Sequence, residues 1–281
     1  MLVMISSNLR RKLMISIGLT GFTDHPEITG KGGGLAEYAQ NFPIVEIDTT
    51  AYGIRKRSVF ADWRAQVPAN FRFIVKATRL MTRHQHVNEA TLIQEFALFA
   101  DSIEPLVVAG QLEQVLFQFP PRFGANARNA RYLAHLRKLL PTLPLGVELR
   151  NSSWFAPSMK ASTLELLADA HITNFAVDEP QVPGGSIPFV PVPAYGDTLY
   201  VRLHGRNRQG WISGAREVRT DYDYSDEQLR EIATACAGRA ENICYIFNNN
   251  AGHAAAPNAL RMQEILGVQF AGLAPKQLDL F

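Results

Sequence analysis

Eleven polar side chains close short apolar runs in this chain: Glu46, Asp48, Lys76, Gln118, Glu148, Arg150, Asp178, Arg202, His204, Asn248 and Asn249. Glu148 and Asp178 end consecutive runs, and a carboxyl pair in unlike surroundings can divide the roles of general acid and general base. Glu46 is a third carboxyl of the same kind. His204, between Arg202 and Gly205, is the side chain suited to shuttling a proton near neutral pH. Lys76, Gln118, Arg150, Arg202, Arg206, Asn248 and Asn249 supply donors for an anion, arginine by paired N–H groups. A Schiff base at Lys76 is disfavoured, because nearby carboxylates keep the amine charged. Glu46, Glu148, Asp178 and His204 are also ligand types for a divalent metal. No HxH or HExxH spacing supports one, and Lys76, Arg150 and Arg202 compete for the carboxylates, so a metal is not favoured and no cofactor is indicated. The competing structural reading is a ring of ion pairs that neutralise one another.

The runs that carry these groups set their arrangement. They lie at 15–22, 45–48, 73–76, 115–118, 146–150, 175–178, 199–204 and 245–249. Continuous apolar strands are buried on both faces, as in a parallel sheet. Eight of them, mostly alternating with helical patterns, predict an α/β fold, a single (β/α)8 TIM barrel, with the polar groups gathered at the carboxyl ends of the strands. Helices are expected at 35–41, 58–66, 127–140, 162–170, 225–237 and 258–266. Another starts at Asn88 and carries Leu92, Phe96, Phe99 and Ile103 at helical spacing; a separate segment, 104–112, follows it. Residues 179–197 hold five prolines and three glycines without an amphipathic period, so an irregular element replaces the helix after the sixth strand. The chain divides into a frayed extension (1–12), the barrel (13–273) and a peptide tail (274–281). Glu46, Lys76, Glu148, Arg150, Asp178, Arg202 and His204 should line one cavity. An anion should bind near Arg202, Arg206 or the turn at 248–252.

The net charge of +2 over 281 residues creates no global field for nucleic acid or anionic lipid. Cys236 and Cys244 lack metal or redox spacing and read as reduced thiols, which favours the cytoplasm. No run reaches the roughly 18 apolar residues of a membrane span.

As an ordered set, these segments resemble the YecE-like family, a group classed as a domain of unknown function. Val45-Glu46-Ile47 with Tyr52, Trp63, and Phe71-Arg72-Phe73 with Val75-Lys76-Ala77 carry the resemblance in the first half. Gln118-Phe119-Pro120-Pro121-Arg122-Phe123, Glu148 and Arg150 with Trp154, Arg202-Leu203-His204-Gly205, and Phe247-Asn248-Asn249 with Asn258-Ala259 carry it in the second. The resemblance implies a TIM barrel and no established activity. Departures at Gly18–Asp24, Asp48, Ala51, Arg83 and Asn151 cluster at the barrel mouth and point to a divergent subgroup. Separately, Gln277, Leu278, Asp279, Leu280 and Phe281 end the chain and resemble the pentapeptide that binds the bacterial sliding clamp. In such a peptide Gln gives directional hydrogen bonds, and the leucines and Phe fill an apolar groove.

Three readings follow. The first is an acid/base enzyme, of hydrolase type, acting on a phosphate-bearing substrate at the barrel mouth. Glu148 and Asp178 would be acid and base, and His204 the shuttle. The second is a DNA-associated repair or processing protein recruited to the sliding clamp by its tail. Its basic loops (Arg55-Lys56-Arg57, Arg79, Arg83, Arg206, Arg208) would contact phosphates. The third is a non-catalytic small-molecule binder.

Overall fold

The structure, a computed structural model, describes residues 14–275; the extension expected at 1–12 and the clamp-like residues 277–281 lie outside them. Eight strands occupy Met14–Thr20 (β1), Ile44–Ile47 (β2), Arg72–Lys76 (β3), Leu112–Phe119 (β4), Leu145–Leu149 (β5), Ile172–Asp178 (β6), Thr198–Leu203 (β7) and Asn242–Phe247 (β8). They pair in parallel, in chain order, and close into a barrel. The helices are Pro26–Thr29 (α1), Leu35–Tyr38 (α2), Arg57–Ala65 (α3), Glu89–Val108 (α4), Ala127–Leu139 (α5), Lys160–Asp169 (α6), Arg208–Ser213 (α7), Arg216–Arg219 (α8), Asp226–Cys236 (α9) and Ala255–Leu266 (α10). None among the described residues is long and apolar enough to cross a membrane.

Strand side chains alternate between the barrel interior and the helix layer. Ile44, Ile74, Leu116, Phe175, Tyr200, Cys244 and Ile246 form the interior cluster. It is packed so closely that two inward positions must be glycine. A Cβ on Gly18 would lie 2.2 Å from the carbonyl oxygen of Ile44, and one on Gly146 would lie 2.3 Å from the Phe175 ring. Polar groups close the lower end, where the Tyr200 hydroxyl donates to Glu113 (2.5 Å) and accepts from Gln114 (3.2 Å). The charged groups lie at the other end.

The helix layer follows the expected pattern with three differences. Leu92, Phe96, Phe99 and Ile103 are buried, and Asn88 caps the helix by accepting from Thr91 N–H at 2.8 Å. However, α4 runs unbroken through Pro105 to Val108, where a break was expected. Proline there frees the carbonyl of Asp101, and Asp101 is exposed, so water can satisfy it. The helix α10 begins at Ala255, with Pro257 in its first turn, where a missing N–H costs nothing. The segment after β7, read as a loop, carries the short helices α7 and α8. Residues 179–197 hold neither helix nor strand, yet Ile187 and Val190 are buried in the core, so this segment covers its side of the barrel as an irregular stand-in.

Candidate functional site

At the carboxyl ends of the strands, alternation brings Thr20, Glu46, Lys76, Gln118, Glu148, Arg202 and Asn248 onto the row of the interior cluster. Arg202 is 1% exposed, so its charge must be met within the protein. It donates a fork to Glu46, Nε to Oε2 and Nη2 to Oε1, both at 2.7 Å, and Nη1 donates to Glu148 Oε2. Burial works against the guanidinium charge, but the two carboxylates outweigh it and raise the Arg202 pKa. Thr20 adds a hydrogen bond to Glu46 at 3.3 Å.

Glu148 Oε1 is the second centre. It accepts from Gln118 Nε2 at 2.7 Å, faces His204 Nε2 at 3.3 Å and lies 3.7 Å from Arg150 Nε. Gln118 in turn accepts from Lys76 Nζ at 3.0 Å. Burial pushes the Glu148 carboxyl up, yet Arg202, then His204 and Arg150, hold it well below the usual carboxylate range. Asn248 Nδ2 lies 2.6 Å from His204 Nδ1. An amide N–H donates, so Nδ1 accepts and the ring proton sits on Nε2, which lies 3.3 Å from both Glu148 Oε1 and Arg202 Nη1. Burial pushes His204 down to about 4 and keeps the imidazole neutral. Burial, with the Arg202 charge, also lowers the Lys76 pKa.

Asp178 and Glu179 part company at the end of β6. Asp178 pairs in register with Leu203, a residue of the outer core, so its side chain faces the helix layer. There it accepts from Arg206 at 2.7 and 3.0 Å and from the Tyr224 hydroxyl at 2.7 Å. It is therefore not an inward partner of Glu148. The inward carboxyl is the next residue, Glu179, whose charge neighbours are Arg150 and Glu148. Its Oε1 accepts from Ile187 N–H at 2.8 Å, while Oε2 is buried without a hydrogen-bond partner among the described residues. Burial pushes this carboxyl up to about 7 against the pull of Arg150. The chain pattern named Asp178 because it ends the apolar run. Counting alternate residues from Phe175 points to Glu179.

Three other expected anion ligands are engaged elsewhere. Arg202 is enclosed by Glu46 and Glu148, and Arg206 is held by Asp178 and Glu231. Asn249 is buried, donating to Tyr222 O (2.9 Å) and Asn258 Oδ1 (2.8 Å). The turn after β8 is closed as well: a Cβ on Gly252 would lie 2.3 Å from the Asp221 carboxylate. Lys76, Gln118, Arg150 and Asn248 are partly exposed over the barrel centre, and Asp48, also partly exposed, is a charge neighbour of Lys76. Above them, Arg150 (5.4 Å) and Arg219 (4.4 Å) lie over the ring of Trp211 of α7, whose N–H donates to Gly185 O at 2.7 Å. The segments after β6 and β7 thus meet over the mouth. Among the described residues no group of three or more His, Cys, Asp or Glu is arranged to hold a metal.

The chain matches the family described as protein of unknown function DUF72 over residues 16–279. It is 36% identical to the UPF0759 protein YunF of Bacillus subtilis (strain 168), covering 95% of this chain and all of that protein. It is 32% identical to the UPF0759 protein YecE of Escherichia coli (strain K12) over 54% of each. Among solved structures it is similar to a DUF72 family protein from Enterococcus faecalis V583, with TM-score 0.87 and 36% identity over 95% of this chain and all of the other. A second, from Thermotoga maritima MSB8, has TM-score 0.76 and 29% identity over 91% of this chain and all of the other.

Proposed function

This chain belongs to the DUF72 family of proteins of unknown function, so we propose its activity from the barrel mouth itself: general acid/base catalysis, of hydrolytic type, on a small phosphate-bearing substrate. The observation that carries the reading is Glu179, a buried carboxyl with one oxygen unpartnered and a pKa near 7, beside Arg150. Near neutral pH such a carboxyl is present in both protonation states, as an acid/base catalyst needs. Lys76 and Arg150 bind the anion, and Arg150 offers a planar fork to a phosphate. A bound anion raises the Glu179 pKa further and favours its acid form. Glu148 stays ionised and orients Gln118 and His204. His204 is neutral and donates from Nε2, so it positions rather than shuttles in the resting state. The deeper pair, Glu46 and Arg202, holds the floor of the site.

A screen of phosphomonoesters, starting with 4-nitrophenyl phosphate, tests this. For any substrate turned over, Glu179→Gln is expected to lower kcat by about 100-fold or more with little change in KM, the scale of a lost general acid/base. Arg150→Ala is expected to raise KM. Turnover that survives Glu179→Gln overturns the assignment.

A further inference from the structure

Beside the mouth, the loop after β3, the turn after β4 and the outer face of α5 enclose a groove of ≈680 Å³. Arg128, Arg131, His135 and Lys138 fall at intervals of three, four and three residues along one face of α5, and all four are exposed. Helical rise makes this a straight row about 15 Å long. Arg83 and Arg122 form the facing wall, and Arg122 donates to the Arg83 carbonyl at 2.6 Å, tying the two loops together. Among the described residues Glu89 is the only carboxylate lining the groove. Five Lys/Arg against one Glu leave a local charge of +4, when the whole chain carries +2. No carboxylate among the described residues pairs with Arg128, Arg131 or Lys138.

We propose that this groove binds the phosphodiester backbone of a single-stranded nucleic acid without reading its sequence. A row of cations at helical spacing fits a linear polyanion, whereas one compact phosphate would use a single fork. At about 3.4 Å per phosphate along a stacked strand, 15 Å spans about four phosphates, and fewer when the strand is extended. Spread along about 15 Å, the ≈680 Å³ of the groove is a cross-section of about 45 Å², which admits one strand between its two walls. Its aromatic residues, Phe123 and Tyr132, are buried, and Arg83 already lies 4.0 Å over the Tyr132 ring, so bases find no stacking platform. The same burial leaves no apolar side chain to insert into a lipid surface. His84, on the same loop as Arg83, is pushed down to about 4 by burial and then by Arg79, Arg122, Lys76 and Arg150, so its charge neighbours include one cation of the groove and two of the mouth. This binding does not depend on the mouth being catalytic.

Fluorescence anisotropy of the full chain with 5′-fluorescein dT12, across a NaCl series from 50 to 200 mM, tests the proposal. The exposed substitutions Arg128→Gln, Arg131→Gln and Lys138→Gln together should weaken binding at least tenfold at 50 mM. They should flatten the slope of log K against log salt by about 2, at about 0.7 per contacted phosphate. A control removing three exposed charges elsewhere (Arg64→Gln, Lys160→Gln, Arg239→Gln) should stay within twofold of the parent protein. Absence of binding at 50 mM, equal weakening in the control, or competition by poly-L-glutamate as strong as by dT12 overturns it. The last outcome would make an acidic protein segment the partner.

Discussion

Glu179→Gln should make the protein more stable above neutral pH while removing its proposed activity. The Glu179 carboxyl titrates at about 7 in the folded chain, against an ordinary value of 4.5. Between those values the folded state holds a proton that the unfolded state has released. Stability therefore falls as pH rises through this window, and the loss is complete above about 7. At 1.36 kcal/mol per pH unit the interval corresponds to about 3 kcal/mol. Glutamine does not titrate, and its Oε1 can still accept the Ile187 N–H. The stability difference between variant and parent should grow from about 1 kcal/mol at pH 5 to about 3 kcal/mol at pH 8. For 281 residues that is about 5 °C in Tm at pH 8. Urea unfolding followed by tryptophan fluorescence at pH 5, 6, 7 and 8 measures it. A difference that does not change with pH, or a variant less stable at pH 8, would refute the reasoning. It would mean that Glu179 is ionised and satisfied in the fold.

His204 and His84, both pushed down to about 4, should show no protonation between pH 5 and 8 in 15N NMR, with the His204 proton on Nε2. Their neutral forms add stability that is full above about 6.5 and lost as pH falls through about 4. A midpoint near 6.5 for either ring counts against the buried network. Arg202→Met leaves Glu46 and Glu148 buried without their shared partner and should cost about 3–5 kcal/mol in urea unfolding, largely recovered by adding Glu46→Gln and Glu148→Gln. A loss under 1 kcal/mol for the single variant would show that water solvates the triad. Deleting residues 277–281, which follow the exposed Pro275, should abolish calorimetric binding to a bacterial sliding clamp and leave Tm unchanged. A lower Tm with no clamp binding would mean that the tail packs on the barrel.

The barrel was legible because each strand is an apolar run closed by a polar residue, a pattern that only a two-sided buried sheet with a functional rim requires. Burial of the charges followed from the same pattern, but their partners did not. Arg202 and Glu46 are 156 residues apart and meet only because the barrel closes between β1 and β8. The end of β6 shows the sharper limit. Composition favours Asp178, the residue that ends the run, whereas the direction of each side chain depends on a count modulo two from an interior anchor such as Phe175. One residue separates an outward structural carboxylate from an inward one that keeps an unpartnered oxygen. Pro105 misled for a related reason. A proline costs a helix one hydrogen bond and a steric clash, a helix survives it more readily where water can reach the freed carbonyl, and exposure of Asp101 is a tertiary fact.

In the proposed site Lys76 and Arg150 hold an anion over a carboxyl that takes up a proton when the anion arrives. Isothermal titration of the full chain with inorganic phosphate at pH 7, in two buffers of different ionisation enthalpy, tests it most directly. Binding with net proton uptake is expected, with loss of uptake but not of binding in Glu179→Gln, and loss of binding in Arg150→Ala. Binding that is unchanged in Arg150→Ala, or that takes up no proton in the parent protein, would contradict it.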